Sequence, residues 1–372
     1  MKPRARDLNI RIGQLQPGPL NAITDVPGVR VGHSNVRGRS DAGRDICTGV
    51  TVIEPRRGST NQQPCFAGVH VLNGNGDATG LEWIREAGLL TSPIAFTNTH
   101  SLGVVRDALI ALDRQQQPDD GRLYWNMPVV LETFDGLLND INGFHVRPEH
   151  VAEALNDAHD GAVEEGAVGG GSGMICHEFK GGIGSASRRL SRAQGGWTVG
   201  AIVQANHGIR SELRVDGYPV GRYMEQVDSP FLRAALPHPG MGSIVVCLAT
   251  DAPLLPHQCT RLTQRASLGL ARSGGGNEDH SGDIFIAFAT GNDHVQPAAY
   301  EGKGAPTCDG LRMVNNDHIS ELFLAATEAV EEAIINALLA SDSTAGNGHA
   351  VPGLDKETLL AALARAGWPG TR

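Results

Sequence analysis

Eight short apolar runs, each bounded by Gly, Pro, Asn or Asp, limit the fold of this chain more than anything else in it. They are Val29 to Val31, Val50 to Ile53, Gly68 to Leu72, Pro93 to Phe96, Val129 to Leu131, Val199 to Val203, Ile244 to Ala249 and Ile284 to Ala289. Runs this short and rich in β-branched residues predict buried strands. Helical spacing appears between some of them: Val105, Leu109 and Leu112 share a face, Val151, Ala154 and Leu155 follow Pro148, and Cys259, Leu262, Ala266 and Leu270 recur at three- and four-residue steps. A longer helix is expected from about Ser320 to Leu339, then a looser Ser/Gly/Asn/Asp stretch from Ser341 to Gly353, then a short helix stopped at Gly367. The strands outnumber what strict βαβ alternation needs and the helices cluster. A layered α/β sandwich is therefore expected rather than a doubly wound sheet.

Composition removes several classes of function. A formal net charge of −10 and no basic stripe longer than Arg188-Arg189 argue against a nucleic-acid partner. No 18-residue apolar segment offers a membrane helix, and the basic N-terminus leads into no apolar signal region. Six cysteines without Cys-x-x-Cys spacing read as reduced, mostly buried thiols of a cytoplasmic protein. Fourteen histidines form no His-Glu-x-x-His and no tight cluster, so neither metal nor other cofactor is expected unless distant residues converge. The glycine runs 169–173 and 181–184 are not phosphate loops: Lys180 is followed by glycine, not Ser or Thr. Glycine turns packed against a neighbouring backbone are expected there.

The chemistry-bearing feature is Pro237-His238-Pro239-Gly240-Met241-Gly242-Ser243, a proline-glycine run that stops at a serine leading the apolar run Ile244 to Ala249. This is the layout of a self-cleaving precursor. Gly242 lets the backbone bend until the Ser243 hydroxyl reaches the Gly242 carbonyl, while the strand behind holds the serine still. After cleavage Ser243 carries a free α-amine with a pKa of about 7.7–8.0, a base tethered to its own nucleophile. A plain turn before a buried strand would look the same in isolation.

Other candidates have similarly double readings. Ser281 and Asp283, one residue apart before a strand, project to one side if extended and can relay between hydroxyl and carboxylate; they can equally close a turn. Asn206, at the end of Val203-Gln204-Ala205-Asn206-His207, can donate to an oxyanion or sit in a turn. His207 is a second choice as a base for Ser243. Glu132, closing Pro128 to Leu131, can pair with a substrate ammonium or be a surface residue.

Taken together, Asn21 to His33, Leu138 to His145, Gly169 to Gly184 with Met174-Ile175-Cys176-His177, Gly242-Ser243 and Ser281-Gly282-Asp283 resemble the L-aminopeptidase/D-amidase-esterase family, which includes the β-peptidyl aminopeptidases. The resemblance spans about residues 20 to 340. It implies one peptidase domain over 1–372, a four-layer αββα sandwich that is Ntn-hydrolase-like with the distinct connectivity shared with ornithine acetyltransferases. It implies self-cleavage between Gly242 and Ser243 into chains of 242 and 130 residues that stay together and assemble as a tetramer of heterodimers. It implies Ser243 as nucleophile, Ser281 and Asp283 as its supporting pair, Asn206 as oxyanion donor and Glu132 as the holder of the substrate amine. The aromatics Phe134, Tyr124 and Trp125 would help set specificity. The expected activity is that of a serine aminopeptidase removing N-terminal residues from small peptides, amino-acid amides or esters, with no cofactor. Two alternatives stand beside it: an acyltransferase of the ornithine acetyltransferase type, which Ser243 in place of threonine disfavours, and a non-cleaving binding protein on the same fold.

Overall fold

All eight apolar runs become strands, and they divide between two sheets. The computed structural model of the protein describes residues 2–117, 119, 123–233, 240–296, 305, 306 and 308–370. Pro237-His238-Pro239, the start of the run before the serine, lies outside the described residues. In chain order the strands are β1 (Arg30–Arg39), β2 (Asp45–Glu54), β3 (Cys65–Gly74), β4 (Leu89–Leu90), β5 (Ile94–Asn98), β6 (Val129–Thr133), β7 (Ile175–Cys176), β8 (Phe179–Lys180), β9 (Gly182–Arg189), β10 (Thr198–Gly208), β11 (Gly240–Thr250), β12 (Gly282–Ala289), β13 (Thr344–Gly346) and β14 (His349–Val351). The α-helices are α1 (Leu81–Ala87), α2 (Leu102–Gln116), α3 (Pro148–Asp157), α4 (Pro256–Ser273), α5 (Ser320–Ala340) and α6 (Lys356–Arg365). One sheet has the order β1-β2-β5-β6 and the other β4-β3-β12-β11-β10-β9.

Alternation along the strands builds the layers. On β11, Val245, Cys247 and Ala249 enter the space between the sheets with Ile284 and Ile286 of β12, meeting Val31, Ile53, Phe96 and Leu131 from the other sheet. Ile244, Val246 and Leu248 face the opposite way, onto Leu262, Ala266 and Leu270 of α4 and Ala326, Ala329 and Ala333 of α5. Val50, Val52, Ala95 and Val130 likewise carry Val105 and Leu109 of α2 and Val151 and Ala154 of α3. The result is the expected αββα sandwich. Each fully buried Val, Leu or Ile in these layers contributes about 1.5–3 kcal/mol.

Three segments depart from the sequence reading, each for a physical reason. The glycine run at 181–184 is not a turn: it opens strand β9, whose small residues let α5 lie against the sheet, and a Cβ on Gly184 would fall 2.0 Å from the Ala333 carbonyl oxygen. β1 extends far beyond its apolar start because it is an edge strand with its second half exposed. The stretch from Ser341 contains the hairpin β13–β14, turned by Asn347 and Gly348 at φ 49° and 82°, the left-handed pair that a two-residue hairpin requires. No helix among the described residues is long and apolar enough to cross a membrane.

Arg188 explains why the double arginine forms no basic surface. It is fully buried on β9, its Nε 3.0 Å from Glu328 and its Nη2 2.7 Å from Glu332 on α5, while Arg6 holds the other oxygen of Glu332 at 3.0 Å. Removing the guanidinium leaves Glu328 without its cation and Glu332 with Arg6 alone in the helix–sheet interface, and a broken buried pair costs about 3–5 kcal/mol. Arg188→Ala is therefore expected to lower the urea midpoint by a corresponding amount, and a loss below about 1 kcal/mol would show that the cluster is not buried as described.

Candidate active site

The N-terminal ends of β11 and β12 and the C-terminal end of β10 lie side by side, which gathers residues 206, 243 and 283 from distant parts of the chain. In the antiparallel β10–β11 ladder Asn206 stands directly opposite Ser243, next to an irregularity that shifts the register before Gly208. In the parallel β11–β12 ladder Ile244 stands beside Asp283. Ser243 is 5% exposed, and its Oγ accepts the Gly282 N–H at 3.0 Å. That bond fixes the hydroxyl oxygen and leaves its own proton to be given to a base.

Asp283 supports the same corner. Its Oδ1 accepts the Ser281 hydroxyl at 2.6 Å and the Ile244 N–H at 3.2 Å, and its Oδ2 accepts the Asn73 amide at 2.6 Å. Burial pushes the carboxyl above its ordinary range, and these hydrogen bonds pull it part of the way back. Ser281 is thus hydrogen-bonded to Asp283, whose carboxylate meets the backbone immediately after Ser243.

Gly242 is required by close approach. A Cβ there would fall 1.8 Å from the Asn206 carbonyl oxygen and 3.1 Å from the Asn206 amide nitrogen, so a side chain would push β10 and β11 apart at the serine. The Asn206 side chain is held at both ends: Oδ1 accepts the Ile175 N–H at 2.7 Å, and Nδ2 donates to the Phe134 carbonyl at 2.9 Å. An amide nitrogen carries two protons, so one donor remains beside Gly242.

Glu132, on β6 of the facing sheet, is buried. Its Oε1 accepts the Asp77 N–H at 2.7 Å and its Oε2 accepts the Thr99 hydroxyl. A Cβ on Gly76 would lie 3.3 Å from Glu132 Oε1 and 3.2 Å from the Cα of Gly282, the residue that holds Ser243 Oγ, so the carboxylate borders the serine corner. Burial raises its pKa, against the hydrogen bonds of Thr99 and Asp77. Phe134, two residues on, leaves 46% of its surface open beside this group. His100 and Phe144 stack nearby at 5.8 Å between ring centroids.

The structure therefore brings Ser243, Gly242, Ser281, Asp283, Asn206, Glu132 and Phe134 into one region. His207 does not join them. Side chains alternate along β10, so His207 shares the helix-facing side of Val203 and Ala205, while Gln204 on the other side reaches Thr97 and Thr133 of the facing sheet. Tyr124 and Trp125 are engaged elsewhere, Tyr124 donating to Asp113 at 2.7 Å and Trp125 meeting Trp83 edge-on at 5.1 Å. Asn73, Asp77 and Thr99 are the supports that sequence reasoning missed. They act through single hydrogen bonds across elements, for which a sequence carries no spacing.

Comparison with known proteins gives the family. Residues 21–351 match peptidase family S58. The chain belongs to that family. It is 44% identical over 375 residues to the β-peptidyl aminopeptidase BapA of Sphingosinicella microcystinivorans, covering 97% of this chain and 92% of the relative. Among solved structures it is similar to a Burkholderia sp. β-aminopeptidase, with 64% identity, a TM-score of 0.93 and coverage of 98% and 99%. It is also similar to the L-aminopeptidase D-Ala-esterase/amidase of Ochrobactrum anthropi, a prototype for the serine aminopeptidases with a variant Ntn hydrolase fold, at 43% identity, TM-score 0.89 and coverage of 98% and 99%. The S58 chain described here is thus an enzyme with this Ntn hydrolase fold.

Asp135, which follows Phe134, gives the site a pH dependence. Complete burial pushes its carboxyl up to about 6, against hydrogen bonds from Asn139, Thr48 and Asn98. Because the folded value lies above the unfolded one of about 3.9, folding favours the protonated acid. Its contribution is full below about pH 4 and is lost as pH rises through 6. Stability of the wild type should fall over this window by on the order of 3 kcal/mol more than that of Asp135→Asn, measured by urea unfolding at pH 4, 5, 6 and 7. Parallel curves for the two proteins would contradict the assignment.

Proposed function

We propose that this S58 enzyme is a serine aminopeptidase in which Ser243 is the nucleophile, and that it matures by cutting its own Gly242–Ser243 bond. Ser243 Oγ attacks the Gly242 carbonyl carbon, the C–N bond breaks with a proton passing to the departing nitrogen, and water hydrolyses the resulting ester. The products are a chain ending at Gly242 and a chain beginning with the free α-amine of Ser243. In turnover that amine takes the Oγ proton, Oγ attacks the acyl carbon of the substrate, and the leaving amine or alcohol carries the proton away. Asn206 Nδ2 donates to the oxyanion, and water releases the acyl group. Ser281 and Asp283 hold the amine-bearing corner through Ile244.

The observation that carries this reading is the convergence on Ser243 of an amide donor opposite it, a hydroxyl–carboxylate pair behind it and a buried carboxylate bordering it. Glu132 is the group suited to a substrate ammonium, because a buried carboxylate with two hydrogen bonds still has lone pairs to offer. A free N-terminal amine is then the recognised feature of the substrate, whether peptide, amino-acid amide or ester. The 64% identity to a protein named β-aminopeptidase supports N-terminal β-amino acids as part of that class. Hydrolysis is favoured over acyl transfer by the aminopeptidase relatives. We further infer that the processed chains associate as a tetramer of heterodimers and work in the cytoplasm, where the six free thiols stay reduced.

Ser243→Ala should remain one uncut chain on intact-mass analysis and show no aminopeptidase activity; an active variant would end the proposal. Glu132→Gln should still be cut, but should raise KM for free-amine substrates at least about tenfold, equivalent to about 1.4 kcal/mol, with a smaller change in kcat. An unchanged KM would remove Glu132 from substrate binding.

A further inference from the structure

A second constellation lies on the side of β10 away from the serine. β7 and β8 form a hairpin whose two turn residues, His177 and Glu178, have φ of 48° and 63°. Both central residues of such a turn must be left-handed, and Asn-Gly is the usual choice; a His-Glu pair there is strained and needs a reason. The strain turns His177 back against β10, its N–H donating to the His207 carbonyl at 2.7 Å. The two imidazoles meet edge-on at 5.2 Å between centroids, and Cys176 Sγ lies 3.9 Å from His207 Nδ1.

We propose that Cys176, His177 and His207 form a buried site for one thiophilic d10 metal ion, Cu⁺ in preference to Zn²⁺. One donor atom from each of the three lies within 4.8 Å of the others, and all three residues are buried. Donor atoms around a single ion at ordinary metal–sulfur and metal–nitrogen lengths stand about 3.5–3.8 Å apart, so the group must contract by up to about 1 Å to close on an ion. His177 Nε2 is buried with no hydrogen-bond partner, a costly state that ligation would relieve, and His207 presents its Nδ1 to the sulfur. His177 Nδ1 is tied to the Ile209 carbonyl at 3.0 Å, the outer hydrogen bond that fixes a ligating histidine's tautomer and leaves Nε2 as the donor.

One soft sulfur with two imidazoles suits Cu⁺ or Zn²⁺. Charge selects between them: Cu⁺ on a thiolate is neutral, whereas Zn²⁺ leaves a net positive charge in a site closed to solvent, which is costly to bury. Both imidazoles and the thiol are enclosed by the fold, so the ion would be held away from solvent. Ligation then breaks the S–H bond, forms the S–metal bond and releases one proton to solvent, with no change in oxidation state. The ion would sit behind the oxyanion donor, since His207 follows Asn206 and Cys176 follows Ile175, whose N–H holds the Asn206 amide. It is a clamp on that residue and takes no part in the reaction.

A closed site fills as the chain folds, so the test uses the whole protein purified anaerobically from cells grown with added copper or added zinc. The background is Cys308→Ser, which removes the exposed thiol. After washing with a competing chelator, metal analysis should find about one ion per chain, at least tenfold less in Cys176→Ser and in His177→Gln, and a higher melting temperature for the loaded wild type only. X-ray absorption of the loaded wild type should show one sulfur and two imidazole nitrogens around the ion. Zinc retained with that same ligand set would support the site and overturn the preference for copper. No retained metal, equal retention in Cys176→Ser, or a coordination shell lacking sulfur would each overturn the site.

Discussion

The register between β10 and β11 is the constraint on which the rest of this molecule depends. It sets Asn206 opposite Ser243, and a slip of one residue would turn Ser243 toward the helices and Ile244 toward the facing sheet. What holds it is burial on both faces: every residue of β10 is buried, with small and branched side chains packed on α5 to one side and Gln204 bonded to Thr97 and Thr133 on the other. The geometry around Ser243 is a by-product of sandwich packing. The site sits where strands of one sheet end against the facing sheet, so its residues inherit the rigidity of two hydrophobic layers.

Electrostatics around the serine follow from the same burial. Glu132 and Asp283 are both desolvated and both restrained by hydrogen bonds, so neither is a free surface charge and neither is an unpaired one. A carboxylate in that state offers a larger gain on meeting an ammonium than one already satisfied by water. If Glu132 receives the substrate amine as proposed, the same state makes the corner selective, because a substrate without a positive end would bury the carboxylate and return nothing for its lost solvation.

Much of this was legible in the sequence. Short continuous apolar runs marked the buried parts of all eight strands, because backbone buried on both faces has no polar positions to interrupt it, and Gly242-Ser243 was legible because it sits at the edge of such a run. β9 was not, since its residues are small to admit a helix and so imitate a turn. The supports of the site, Asn73, Asp77 and Thr99, and the grouping of Cys176, His177 and His207, were not legible either. Each depends on which distant backbone ends at the same place, and only the three-dimensional register supplies that.

One consequence of the strand order remains. β11 and β12 are the middle of the six-stranded sheet, flanked by β10 on one side and β3 on the other. If the bond before Ser243 is cut as proposed, the two pieces interleave rather than dock: the shorter one is wedged between two strands of the longer. No surface exists at which they could part and rejoin as rigid bodies. The mature enzyme would unfold as a single unit yet refold as two molecules that must first meet, so its assembly would depend on concentration although its unfolding would not. Processing then turns a folding problem that the chain can solve once, while intact, into one that the separated pieces solve poorly.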